Sequence, residues 1–230
     1  MNFYETEVIE VKRETSDCWS VKLNIPEGFT WKAGQYNLWK FADYQVAEGD
    51  KPMRVFSIAS APEDGYLMFA TRIAEKHTSW KEILKTQLKA GDKMMVAKAN
   101  GTFAFNMDRD RSFALAGGIG ITPIRALIKH WSENPCPDHR FTLVYTDARK
   151  EYCFEEDFKE IEKKMPNLKL VYTWEIEDTN SLLKAYSEEN GNNAEYLIAG
   201  SPGMNAAITE TLKGFGIEEE NIKTDNFMGY

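Results

Sequence analysis

Residues 116–123 read AGGIGITP. They join an apolar run, FALAGG (113–118), to a helical pattern, TPIRALIKHWSEN (122–134), that sets Ile124, Leu127, Ile128 and Trp131 on one face. A strand that turns through glycines into a helix marks the place where an open α/β sheet binds ligands, at the carboxyl ends of its strands. Glycine there lets a diphosphate approach the backbone. Pro123 suits a first helical turn, where its missing N–H has no helical partner. The helix start offers free N–H groups and partial positive charge to an anion. The spacing Gly118-x-Gly120-x-x-Pro123 puts proline where the dinucleotide fingerprint has its third glycine. Gly117, Gly118, Gly120, Ile121, Thr122 and Pro123 are the expected phosphate-binding stretch.

Downstream the pattern repeats. RFTLVYTD (140–147), LKLVYTW (168–174) and AEYLIAG (194–200) are continuous apolar runs of the kind buried on both faces of a parallel sheet. Helical patterns FEEDFKEIEKKM, SLLKAYSEE and MNAAITETLKGF follow them in turn, and a short strand near IKTDNF ends the series. The second of these strands closes on Thr146 and Asp147, with Arg149 just beyond. An acid at this point accepts hydrogen bonds from an adenosine ribose, whereas an arginine or hydroxyl holds a 2′-phosphate. Both kinds are present, so NADH and NADPH both stay open.

Upstream of residue 107 the chain has a different character. Six short β-rich runs, 4–15, 18–26, 35–42, 53–60, 66–74 and 93–99, are separated by Pro, Gly, Asp and Asn, with one helical stretch at 79–88. Six short strands suggest a closed barrel, because closure removes exposed edges. The expected fold is therefore two-domain: an antiparallel β-barrel over 1–106, followed by an α/β doubly wound parallel sheet over 107–230.

Composition supports two real cores: 230 residues, 43% of them hydrophobic and 13% aromatic. A net charge of −8 opposes attraction to nucleic acid phosphates or anionic lipid, so neither is an expected partner. Cys18, Cys136 and Cys153 are scattered, with no CxxC pair, which argues against a disulfide framework, a metal site or an iron–sulfur cluster in this chain. The N-terminal residues carry charges and lack an apolar segment, and no later run has the length to span a bilayer. A cytoplasmic protein is expected.

Residues 54–60, RVFSIAS, suit a buried strand and yet begin with arginine. Such an arginine either holds an anion or points to solvent. Arg54 and Phe56 are two apart and share a face, so a ring can lie under a planar ligand whose phosphate the guanidinium holds. Ser57 has the opposite parity, so its role needs a twist at the strand end or a contact through its backbone.

RVFSIAS resembles the RxYS or RxFS flavin motif of the ferredoxin–NADP reductase family, and AGGIGITPI resembles that family's GGxGxTP nucleotide motif. The order of further parts is similar as well: AGQY (33–36), HTSW followed by LKAGD (77–92), AGSPGM (199–204) and the C-terminal NFMGY. The resemblance covers essentially the whole chain and implies a barrel that binds FAD, followed by an NAD(P)-binding domain. It implies that Arg54 holds the flavin phosphate, that Val55 and Phe56 lie against the flavin, and that Ser57 stands near its reactive nitrogen. Thr71 and Ile73 fall on the strand lining the flavin, and His77, Thr78 and Ser79 fall at a helix start that suits phosphate. Gly200, Ser201 and Met204 match the loop over the nicotinamide ribose, and Tyr230 matches a C-terminal aromatic that covers the flavin.

The implied reaction is hydride transfer between NAD(P)H and FAD, with Ser57, Thr122 and Tyr230 as the catalytic residues and electrons passed to a separate carrier such as ferredoxin or flavodoxin. The alternatives are a diaphorase-like reductase of free flavin or quinone, a reductase subunit of an oxygenase or larger redox complex, and a nucleotide-binding module with a decayed flavin site. Ala199 stands where many family members have cysteine. His130 and His139 read as solvated residues. Lys81, Lys85 and Lys89 read as a solvated face of the barrel helix, or else as a basic patch for an acidic partner.

Overall fold

The computed structural model describes residues 2–227. Six antiparallel strands form the first half: β1 (Phe3–Arg13), β2 (Cys18–Leu23), β3 (Tyr36–Phe41), β4 (Arg54–Ser57), β5 (Leu67–Arg72) and β6 (Lys93–Ala97). Their order is β4-β3-β6-β1-β2-β5. The Ala59 N–H donates to the Met68 carbonyl at 2.7 Å, drawing the chain after β4 onto β5 and nearly closing the barrel. Inside lie Trp39, Phe41, Phe56, Phe69, Trp80 and their aliphatic neighbours. Helix α1 (Ser79–Thr86) plugs one end. It starts where Thr78 accepts a hydrogen bond from the Lys81 amide, satisfying one of the donors a helix start leaves open.

The second half is a five-stranded parallel sheet of order β11-β10-β7-β8-β9, built from β7 (Arg111–Gly117), β8 (Arg140–Thr146), β9 (Leu168–Thr173), β10 (Glu195–Gly200) and β11 (Ile222–Asn226). Alternation along the strands divides their side chains between the two faces. Ala114, Ala116, Leu143, Tyr145 and Leu197 pack under α2 (Ile121–Glu133) and α3 (Glu155–Lys164). Phe113, Leu115, Val144, Tyr196 and Ile198 pack on the other face under α4 (Ile176–Asn190) and α5 (Pro202–Gly214). The sheet is thus doubly wound, as its sequence pattern predicts. One strand departs from that pattern: β9, whose apolar run predicts burial on both faces, is half-exposed over most of its length because it forms an edge.

The two halves share a core. Cys18, Ala33, Ala59, Met68, Ala70 and Phe105 from the barrel side pack in one apolar cluster with Ala116, Ile121, Tyr145 and Cys153 of the sheet domain. Arg125 of α2 adds a buried polar tie: it donates to the Ala59 carbonyl at 2.8 Å and pairs with Asp64 at 3.0 Å and with Asp157 of α3 at 2.5 Å. This packing fixes the carboxyl end of the parallel sheet against the open side of the barrel. Among the described residues no helix is long and apolar enough to cross a membrane.

Candidate functional site

A cleft of about 450 Å³ lies where the halves meet. From the barrel it is lined by Tyr36, Val55, Phe56, Ser57, Thr71, Arg72 and Lys81, and from the sheet domain by Ile119, Asp225, Asn226 and Phe227. The β4 residues are presented as strand parity requires: Arg54 and Phe56 turn into the barrel, and Val55 stays exposed. Phe56 stacks on Phe69, with centroids 5.0 Å apart and an interplanar angle of 6°. One ring face is therefore committed to the core while the residue still borders the cleft. Ser57 resolves its parity question at the strand end, where its hydroxyl donates to Asp225 Oδ2 at 3.3 Å. Burial pushes the Asp225 carboxyl above its ordinary range, and the Ser57 hydrogen bond offsets this only in part.

Arg54 does hold an anion, and the anion is the chain's own. Its guanidinium pairs with Asp50 Oδ1 at 2.5 Å and donates to the carbonyls of Lys51 and Met53. The other Asp50 oxygen accepts from Ser79 Oγ at 2.7 Å and from the Trp80 amide at 3.1 Å, at the start of α1. Burial works to raise the Asp50 carboxyl, but the hydrogen bonds from Ser79, Arg54 and Trp80 outweigh it and hold the group well below the usual carboxylate range. A carboxylate on a guanidinium, a serine hydroxyl and a helix-start amide stands in for a phosphate oxygen pair. This donor set fits the phosphate of a flavin. Lys81 lies buried beside the same cleft, where burial first and the Arg54 charge second lower its pKa. It does not belong to a solvated face, and Lys89 falls beyond the end of α1.

The glycine turn behaves as its spacing implies. Gly118 adopts φ +54°, in the left-handed region, and a Cβ there would sit 2.8 Å from the Arg72 guanidinium. At Gly120 a Cβ would run into the Ala199 carbonyl of β10, so this glycine is needed for close backbone packing. Ile121 and Pro123 lie in the first turn of α2. Thr122 is buried and its hydroxyl donates to the Ile119 carbonyl at 3.0 Å, so in this conformation it positions the loop. Met204 fills the space beside Gly117 and Gly200, and Ser201 caps α5 by accepting from the Met204 amide.

Some sequence-derived candidates stand away from the cleft. Ile73 is a barrel-core residue. His77 is tied by Nε2 to Glu82 at 2.6 Å and by Nδ1 to the Ala74 carbonyl. The Thr146 hydroxyl faces Thr179 at 3.4 Å. His139, expected in solvent, is buried against Ser112 at 2.7 Å, and burial lowers its pKa. His130 pairs with Glu63 at 2.8 Å. Tyr230 lies outside the described residues. Residue type and spacing alone pass over Asp50, Tyr36, Arg72, Asp225 and Phe227. Of these, Asp225 and Phe227 have a signal in the motif NFMGY and the strand leading into it, whereas the Asp50 contact arises from a loop that leaves no pattern.

The geometry defines a nucleotide-linked oxidoreductase of the two-domain flavin reductase type. Residues 114–210 match the oxidoreductase NAD-binding domain family. The chain is 28% identical over 235 residues to a component of the Na(+)-translocating NADH-quinone reductase from Haemophilus influenzae, covering 90% of this chain and 55% of that one. The chain thus spans a little over half the length of such relatives. Among solved structures it superposes on a cytochrome P450 reductase from Amycolatopsis (TM-score 0.80, 20% identity, 98% of this chain and 70% of that one). It also superposes on ferredoxin–NADP+ reductase from Plasmodium falciparum (TM-score 0.79, 16% identity, 98% and 97%). The expected resemblance and fold are borne out, and FAD with a nicotinamide nucleotide is the cofactor pair that goes with them.

Proposed function

We propose that the chain is an FAD-dependent reductase that takes a hydride from a reduced nicotinamide nucleotide and passes electrons to a separate carrier protein in the cytoplasm. The observation that carries this reading is the cleft itself, which brings Phe56 and Ser57 of the barrel to Ile119 of the glycine turn and Asp225 of β11. When bound, the flavin supplies the hydride acceptor and can release electrons singly or in pairs.

The residues of the chain supply placement and charge. Arg54, Ser79 and the Trp80 amide hold a flavin phosphate in place of the Asp50 carboxylate, with Thr78 securing the helix start beneath them. Val55, Phe56, Thr71 and Phe227 exclude water from the ring system. The turn from Gly117 to Pro123 receives the nucleotide diphosphate, and Gly200, Ser201 and Met204 border the place of the nicotinamide. Ser57 and Asp225 form a hydroxyl–carboxyl pair able to hold a proton at Asp225 Oδ2, beside the reacting rings.

A second reading, a reductase component of a larger redox complex, is favoured by the length relationship: the chain spans 55% of a relative that is itself one component of such a complex. The testing experiment is the visible spectrum of the purified protein reconstituted with FAD, followed by anaerobic titration with reduced nucleotide. A yellow protein bleached by the nucleotide supports the reading; a protein that stays colourless after reconstitution overturns it. Reduction of free quinone or flavin without any protein carrier would favour a diaphorase instead.

A further inference from the structure

Asp147 and Arg149, just after β8, occupy the position at which an open nucleotide-binding sheet meets the adenosine ribose. Each residue type favours a different nucleotide, so their identities leave the choice open. Their contacts do not. The Asp147 side chain is 3% exposed and accepts from the Arg149 amide at 2.9 Å and from Arg149 Nε at 3.4 Å. Its other oxygen pairs with Arg72, which comes from the end of β5 in the barrel. Arg149 is held on its far side by Asp17, at the turn between β1 and β2, and Arg72 Nε lies 3.8 Å from the same aspartate. Two residues along, Glu151 accepts from the Ser16 amide at 2.9 Å and from the Ser16 hydroxyl at 2.5 Å. Lys150 is turned aside, with its ammonium 4.1 Å from the Trp174 ring centroid.

The ribose end of the cleft is therefore a bridge between the two domains in which three carboxylates surround two guanidiniums. We infer that this bridge selects a 2′-hydroxyl over a 2′-phosphate, making NADH the nucleotide and Asp17 the residue that enforces the choice. The inference rests on the nucleotide site proposed above. A 2′-phosphate carries between one and a half and two negative charges at neutral pH. To reach Arg149 it has to displace Asp17, and it then lies among Asp17, Asp147 and Glu151. Like charges so placed oppose binding strongly, which is selection by repulsion. A 2′-hydroxyl brings no charge and displaces no partner.

The test is equilibrium binding of NADH and of NADPH to the full chain by titration calorimetry, in the wild type and in Asp17→Asn. The expected result is NADH binding about a hundredfold tighter than NADPH in the wild type. In Asp17→Asn that ratio should narrow at least tenfold, through tighter NADPH binding that weakens with added salt. Competition of 5′-AMP and 2′-phospho-AMP against NADH in the wild type gives the same comparison without a variant. Equal affinities for the two nucleotides, or a ratio unmoved by Asp17→Asn in a variant with an unchanged melting temperature, overturn the inference while leaving the nucleotide site in place. Binding of neither nucleotide overturns the site itself, and the inference with it.

Discussion

Asp50 and Arg54 close on each other at 2.5 Å over the first turn of α1, so the loop before β4 fills the anion cradle that the strand and helix build together. Flavin phosphate and the Asp50 carboxylate need the same donors and cannot both have them. Asp50→Asn removes the internal competitor. A charge-assisted bond contributes about 1.5–3 kcal/mol. Flavin should therefore bind the apo-variant about tenfold tighter or better, while the flavin-free protein loses about 1 kcal/mol of helix-capping stability. Flavin fluorescence titration and thermal melting read the two effects. Unchanged flavin affinity would show that the phosphate lies elsewhere.

Removal of the guanidinium acts in the opposite sense. Arg54→Ala takes away the principal cation of the cradle and leaves Asp50 in its buried place without its partner. The variant should be purified depleted of flavin and should melt lower than the wild type. Full flavin occupancy at stoichiometric FAD would remove Arg54 from the site.

Asp225 makes a prediction about pH. Burial raises its folded pKa above the value in the unfolded chain, so its protonated form suits the native state. The stability it contributes is fully present below the ordinary carboxylate pKa and is lost as pH rises through the raised folded value. Asp225→Asn keeps a neutral polar group beside Ser57 at every pH. The variant should melt higher than the wild type at neutral pH, and the difference should vanish on acidification to about pH 3, below the usual aspartate pKa. A difference independent of pH would contradict the burial argument.

Gly120 offers a steric test. A methyl group there meets the Ala199 carbonyl, a backbone atom with no rotamer to yield. Gly120→Ala should lower stability by about 1–3 kcal/mol, the usual cost of overpacking, and should weaken nucleotide binding as β10 and the turn move apart. Denaturant melting measures the first effect and calorimetry the second.

Two aromatics compete for the role of covering the flavin. Phe227 borders the cleft, and its amide donates to the Gly200 carbonyl at 2.9 Å. Phe227→Ala should shift the bound-flavin spectrum and raise flavin fluorescence. Deletion of Tyr230 alone is the control that separates the two residues; a spectral change confined to that deletion would assign the cover to Tyr230.

Almost all the elements are legible because both halves keep clean periods. Strands of the barrel alternate and are punctuated by turn formers, while β7, β8 and β10 are continuous apolar runs. The departure at β9 has a simple cause: composition reveals apolarity but not position in the sheet, and the edge leaves one side uncovered. At the site, the residues on regular elements can be read from the sequence, among them Ser57, Thr71 and the glycine turn. The residues reaching in from afar cannot. Arg72 reads as an ordinary strand end, and only its meeting with Asp147, 75 positions away, gives it a role. Lys81 and His139 read as solvated because a charged or polar type predicts exposure unless a tertiary neighbour is known.

The apolar cluster running from Cys18 and Phe105 through Ala116 to Tyr145 belongs to neither half alone. Separation of the halves would put this surface in water on both sides. The barrel and the sheet domain should therefore melt as one cooperative unit, with a single calorimetric peak whose calorimetric and van't Hoff enthalpies agree. The enzyme's two lobes are two in topology and one in thermodynamics, so its hydride-transfer cleft is a fixed seam rather than a hinge.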